Sequence, residues 1–319
     1  MSAVRVEFDG RIGRSALLAI VVIALAAAPA WGGRDHLRLL AEIYAYVGLG
    51  AYLLFALTLL AGVPPLLAIP LAGVIAAIVA LPAAALLFRL RGHYFAIGTW
   101  IVAEVFRLLA SQASVLGGGS GLSLPVGIVT SIAATRQERE FLIYWVALAL
   151  VLVVLLLIVA LLRSRYGLAL KAIRDNEPAA LSNGIDVTRI KVIVYIVTAF
   201  ATAMIGALIF LQKLRISPDA AFSVNDWTAF VIFMTVIGGI GRIEGPIIGA
   251  VVFFALRQTL ADLGTLYLLL LGAVAIVVML WAPKGIWGLI VARFGWQVFP
   301  LERHVVALAR SQDNGAKAP

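Results

Sequence analysis

Charged side chains are scarce in this chain, so those that interrupt apolar stretches are where its chemistry has to be sought. Glu42, Glu104, Asp226 and Glu244 are the acids set in or beside such stretches. A carboxylate there binds a cation, relays a proton or pairs with a base, because an unpaired charge in hydrocarbon costs roughly 3 kcal/mol or more. Arg107 follows Glu104 by three residues and shares its helical face. That pair has two readings, a structural ion pair or a station on a translocation route. No catalytic or metal constellation accompanies these residues. Cysteine is absent, and His36, His93 and His304 are too scattered to form a ligand cluster. No Gly-x-x-x-x-Gly-Lys-Ser/Thr loop occurs, so the chain cannot itself hydrolyse ATP. The expectation is no metal, no cofactor and no enzymatic activity, with any energy coming from a partner or an ion gradient.

The second concentration of chemistry is a polar island. From Ser164 to Lys191, Arg165, Lys171, Arg174, Arg189 and Lys191 alternate with Asp175, Glu177 and Asp186. No bilayer would accept this stretch, so it lies in water. Residues 166–182 are mostly good helix formers, with Asn183-Gly184 as a stop. Pro178 can open a helix but not continue one, which predicts two short helices meeting near Asn176-Glu177.

The elements that must position these groups follow from composition. At 63% hydrophobic and 13% charged residues, the chain lies outside the globular range and reads as all-α, a polytopic helical membrane protein. The net charge of +9 collects at the ends of apolar runs, as in cytoplasmic loops, which sets nucleic acid aside. Nine apolar segments are expected: 15–31, 37–61, 66–88, 94–113, 141–162, 190–211, 227–239, 251–262 and 266–281. The first is either an uncleaved helix, the reading adopted here, or a signal peptide ending at Ala28-Pro29-Ala30. The expected domains are a polar segment 1–14, a transmembrane domain 15–290 containing the island at 163–191, and a polar, fraying tail 291–319.

Glycine marks the remaining sites. Leu116-Gly117-Gly118-Gly119-Ser120-Gly121-Leu122 is too flexible for a helix and is either an anion cradle or a turn-rich external loop. Gly238, Gly239, Gly241, Gly245, Pro246 and Gly249 interrupt an apolar run, with Gly-xxx-Gly steps at 241, 245 and 249. Pro246 is expected to break a helix there. Such a break is tolerated at membrane depth only where protein buries it or a cavity adjoins it. On the 190–211 segment, Ala199, Ala203 and Ala207 recur at the spacing of a close helix contact.

Three of these stretches resemble the permease subunit of branched-chain amino acid ABC transporters, the LivM family. Ser164-Arg165-Tyr166-Gly167 and Ala172-Ile173-Arg174-Asp175-Asn176-Glu177, followed by Ala180 and Gly184, are similar to the family's coupling helix, with Leu168 where a second arginine is usual. Arg89-Leu90-Arg91-Gly92 with Tyr94-Phe95-Ala96-Ile97 is similar to a helix junction of the family, and 238–249 to its Gly-Gly-x-Gly-x-x-x-Gly-Pro segment. The resemblance implies a multi-pass permease of a bacterial inner membrane. Its partners would be a second permease, two ATP-binding subunits, an extracytoplasmic substrate-binding protein and membrane lipid. It also implies that Gly167, Ala172, Arg174, Asp175, Asn176, Glu177, Ala180 and Gly184 serve ATPase coupling, and that Tyr94, Glu104, Arg107, Gly238, Gly239, Gly241, Gly245, Pro246 and Gly249 serve the pathway or helix packing.

Upstream the resemblance ends. Where the family carries a Gly-Gln-x-Ser-x-Gly segment before a Gly48-Leu49-Gly50-like run, this chain has Leu39 to Tyr46, about one helix fewer. With the island inside, nine crossings put the N-terminus outside, against Arg5, Arg11 and Arg14. Two alternatives to an ABC importer subunit therefore stand: an ion-driven secondary carrier using the acids named above, and a shortened permease with weak or no transport.

Overall fold

The computed structural model describes residues 5–7, 43–90, 93–240, 244–260, 266–282, 285–294 and 304–306. Within them the helices in chain order are α1 (Ile43–Leu59), α2 (Pro65–Leu87), α3 (His93–Gln112), α4 (Val126–Ile132), α5 (Arg136–Arg163), α6 (Arg165–Asp175), α7 (Glu177–Ser182), α8 (Val187–Lys213), α9 (Pro218–Ala221), α10 (Phe230–Gly238), α11 (Glu244–Leu260), α12 (Leu266–Trp281) and α13 (Gly285–Phe294). Two small antiparallel strand pairs qualify the all-α expectation. β1 (Arg5–Glu7) pairs with β4 (His304–Val306), and β2 (Leu122–Ser123) with β3 (Arg215–Ile216). The tail expected to fray thus contributes a strand, for which Val305-Val306 supply β-branched residues.

Five helical stretches are long and apolar enough to cross a membrane: Pro65–Leu87, Arg136–Arg163, Val187–Lys213, Pro218–Gly238 and Leu269–Arg293. Ile97–Gln112 makes a sixth if joined to Ser114–Ser120, from which it is bent by 82°. Of the nine expected segments, 15–31 lies outside the described residues. The second and eighth correspond to α1 and α11, each only 17 residues long, somewhat short of the ~20 a span usually needs.

The core is built on α8. Its neighbour α2 buries Ala68, Ala72, Ala76, Ala80 and Ala84, one every fourth residue, so the two backbones approach closely. Ala199, Ala203 and Ala207 are buried on α8, as their spacing predicts. At α1 the approach is backbone to backbone. A side chain on Gly50 would strike the Ala203 carbonyl, and one on Gly206 would strike Val47. A buried hydrogen bond from Tyr46 Oη to Tyr195 Oη, 2.8 Å, links the same two helices. The outward face of α2 is apolar, with Leu67, Ile78, Leu81 and Leu86 exposed as lipid demands. Pro70 and Pro82 sit on that face too, inside the helix. A second cluster joins Phe233, Met234 and Ile237 of α10 to Ala250 and Phe253 of α11 and Leu271 of α12. α5 opens on a capping box, in which Thr135 accepts from the Glu138 N–H while Glu138 accepts from the Thr135 N–H.

Candidate functional site

The polar island folds as the two helices its sequence predicts. α5 ends at Arg163, and the Ser164 hydroxyl accepts from the Tyr166 N–H at 3.1 Å to start α6. Asn176 is the corner. Its backbone is extended, its side chain accepts from the Ala179 N–H at 3.1 Å, and Pro178 occupies the first turn of α7. Asn183 and Gly184 close that helix, Gly184 taking a left-handed φ of 79°. Asp186 then caps α8 by accepting from the Arg189 N–H.

These residues divide into an inner and an outer set. Gly167 and Ala180 are buried, and a side chain on Gly167 would collide with the Leu162 backbone where α5 turns into α6. Arg174, Asp175, Asn176 and Gly184 are exposed, together with Tyr166, Leu168 and Leu181. Ala172 lies between the two sets. Glu177 faces inward, accepting from Lys191 Nζ at 2.9 Å on both carboxylate oxygens, which ties α7 to the first turns of α8. Gly167→Val should therefore change the angle of the α5–α6 corner while leaving the outer set chemically intact. The expected result is full membrane insertion with a changed protease-cleavage pattern within 164–186; a wild-type pattern would contradict it.

The glycine-rich break is a packing junction. α10 ends at Gly238, Gly239 takes φ 121°, and α11 begins at Glu244. Side chains added at Gly238, Gly245 and Gly249 would strike the backbones of Gly245, Gly239 and Met234 respectively. Gly285, at the start of α13 with φ 69°, abuts the Gly239 Cα. The expected break falls between Gly238 and Glu244, just ahead of Pro246. Pro246 is buried in the first turn of α11, where few amides have intrahelical acceptors to lose. Glu244 is buried beside it. Gly241 lies outside the described residues, as does Glu42.

The third site lies where α3 meets α9. Arg107 donates from Nε and Nη2 to Glu104, at 3.0 and 2.6 Å, and from Nη1 to Asp219 at 3.2 Å. Beside it the glycine-rich loop forms two 3-10 turns, Ser114–Leu116 and Gly118–Ser120, with Gly117, Gly118 and Gly121 at positive φ. Gly121 packs on the Ile216 carbonyl, and β2 pairs with β3 there. Tyr94 is set apart at the start of α3, 74% exposed.

A known family, described as the permease component of branched-chain amino acid transport systems, matches residues 43–279, from α1 through most of α12. The chain belongs to that family. Among similar proteins, the high-affinity branched-chain amino acid transport system permease protein LivM of Salmonella typhimurium is 28% identical over 86% of this chain and 66% of its own length. The Escherichia coli protein of the same name is 29% identical over 76% of this chain and 61% of its own length. The ribose import permease protein RbsC of Bacillus subtilis is 32% identical over 46% of this chain and 41% of its own. The chain thus spans less than two thirds of the LivM chains it matches. No solved structure matches it significantly.

Within the chain, Glu104 and Arg107 pair as their spacing predicts, but Asp219 joins them from 112 residues away, beyond the reach of any local pattern. Lys191 as the partner of Glu177 was equally hidden. Another unforeseen feature is the π-helical turn Asn225–Ala229 leading into α10. Its Trp227 indole donates to the Ala220 carbonyl at 3.0 Å, and Lys213 Nζ sits 5.1 Å from the Trp227 ring centroid. An apolar stretch preceded by Asn225-Asp226 carries no signal distinguishing a π turn from the first turn of an α-helix.

Proposed function

We propose that this chain is a membrane-spanning permease subunit of an ABC importer for branched-chain or related small amino acids, working in a bacterial inner membrane. The observation that carries this reading is the folded island between two long apolar helices, set within a family match from 43 to 279. Two short helices capped by Ser164 and Asn176, followed by the Asp186 cap of α8, present Arg174, Asp175 and Asn176 outward. Such a surface, rigidly joined to α5 and α8, suits docking by an ATP-binding subunit. Movement of that subunit would shift the ends of both helices and so change which side of the membrane the pathway faces. A second permease would complete the pathway, two ATP-binding subunits would dock on the cytoplasmic face, and an extracytoplasmic binding protein would deliver substrate. The amino acid substrate is carried over from the branched-chain amino acid permeases LivM to which the chain is similar.

The test is uptake of labelled leucine into proteoliposomes holding this chain with its partner subunits. ATP inside is expected to drive uptake, and an imposed proton or sodium gradient without ATP is not. Gradient-driven uptake without ATP would replace the reading with that of a secondary carrier.

A further inference from the structure

We infer that Glu104, Arg107, Asp219 and Tyr52 form a transient binding station for the zwitterionic head of a small amino acid. The inference rests on the amino acid importer reading and adds to it the residues that would meet the substrate. Its first support is the composition of the cluster. One guanidinium holds two carboxylates, so the group carries a net negative charge while containing both signs within one hydrogen-bonded unit. It stays partly open, the side chains of Arg107, Glu104 and Asp219 being 30%, 42% and 86% exposed.

The second support is independent and lies on α1. Tyr52 of α1 is 6% exposed, and its hydroxyl has no hydrogen-bond partner among the described residues. A buried hydroxyl left so is a cost to the fold that a ligand's polar group or a water would recover. The Tyr52 ring stacks on Phe222, three residues beyond Asp219, at 5.9 Å. α9 itself packs against both α1 and α3. A second buried hydroxyl without a partner among the described residues, Thr228 Oγ1, sits on the π-helical turn that also packs on α1. Charged groups on α3 and α9, unpartnered hydroxyls on α1 and on the π turn packed against it, and the Tyr52–Phe222 stack together suit a ligand with an ammonium, a carboxylate and a short apolar side chain.

The energetics suit a station rather than a trap. A zwitterion arriving here offers its carboxylate to Arg107 and its ammonium to the carboxylates thereby released. Ion pairs are exchanged and the cluster keeps the single net negative charge it had before, so binding strands no further charge, and it is the stranding of a charge that makes breaking a partly buried pair costly. Binding is consequently weak, as conduction requires of a site that must also release.

The detergent-purified full chain would be examined by saturation-transfer NMR with three probes: leucine, 4-methylpentanoate, which lacks the ammonium, and isopentylamine, which lacks the carboxylate. Wild type is expected to favour leucine over both. Arg107→Gln should weaken leucine about tenfold, as for the loss of a charge-assisted hydrogen bond, and abolish its advantage over isopentylamine. Asp219→Asn should abolish its advantage over 4-methylpentanoate, and Arg107→Lys should restore part of the leucine signal. A purely structural clasp would lower the melting temperature in these variants and leave the ranking of probes unchanged, which would overturn the inference. So would equal signals from all three probes with wild type. If wild type and Arg107→Gln differ as expected while the reconstituted complex takes up no leucine, the station stands and the importer reading falls.

Discussion

Glu177→Arg in the assembled complex is expected to leave ATP hydrolysis running while uptake falls about tenfold or more. In the wild type the Glu177 carboxylate receives Lys191 Nζ on both oxygens at 2.9 Å. With side chains 37% and 43% exposed, the pair contributes only about 0–1 kcal/mol to stability, so the variant should fold and insert normally. Its consequence is geometric. Arginine would set two cations against each other at the joint between α7 and α8, and like charges in contact repel rather than simply ignore one another. α7 would swing away from α8 and take the outer set of Arg174, Asp175 and Asn176 with it. The deciding variant is the reversal, Glu177→Arg with Lys191→Glu, which restores the attraction and should recover most of the uptake per ATP hydrolysed. Unchanged uptake in the single variant, or no recovery in the reversal, would refute the strut role.

The largest loss of folded protein is expected at the glycine junction. Gly249→Leu would drive a four-carbon side chain into the Met234 carbonyl, and Gly245→Leu into that of Gly239. Flexible side chains can move aside from an intruder; the Met234 carbonyl cannot move without displacing α10, and Gly239 is hemmed in by Gly245 on one side and Gly285 on the other. The penalty should therefore exceed the 1–3 kcal/mol typical of overpacking, reaching about 3 kcal/mol or more for each variant. Gly272→Leu is the internal control. It lies on neighbouring α12 with nothing within 4 Å of an added Cβ, so it tests apolar enlargement without backbone contact. Melting in detergent followed by size-exclusion fluorescence should show Gly249→Leu and Gly245→Leu lost or sharply destabilised and Gly272→Leu unaffected. Wild-type melting of all three would mean that α10, α11 and α13 are not packed as described.

What the sequence made legible was whatever chemistry repeats at short range. The polar island was readable down to its corner at Asn176, because the caps and Pro178 act within one turn. Ala199, Ala203 and Ala207 announced a buried face through their period, and Glu104 announced Arg107. Asp219, Lys191 and the Tyr46–Tyr195 bond were not readable, since each joins residues that only the tertiary packing brings together. The helix break ahead of Pro246 was readable for a local reason, since glycine and proline act within a turn, whereas the exact helix start at Glu244 was not. Segment counting was least dependable. Apolar length separates a crossing from a shorter buried helix by a few residues only, and α1 and α11 fall within that margin.

α8 has a mechanical consequence. Its 27 residues make a rod about 40 Å long, and it is gripped near its middle, where Gly50 and Val47 of α1 meet Ala203 and Gly206, and Gly73 of α2 meets Phe200 and Met204. Contacts with so little side chain between them leave small room for sliding but permit a pivot. About such a fulcrum, a tilt of roughly 5° carries each end some 1.7 Å in opposite directions over the half-length of about 20 Å. One end is fastened to Glu177 through Lys191, and the other carries Lys213 against the Trp227 that is bonded to α9. A pull of that size on the island is enough to separate a hydrogen-bonded pair, and the lever would deliver it beside Asp219.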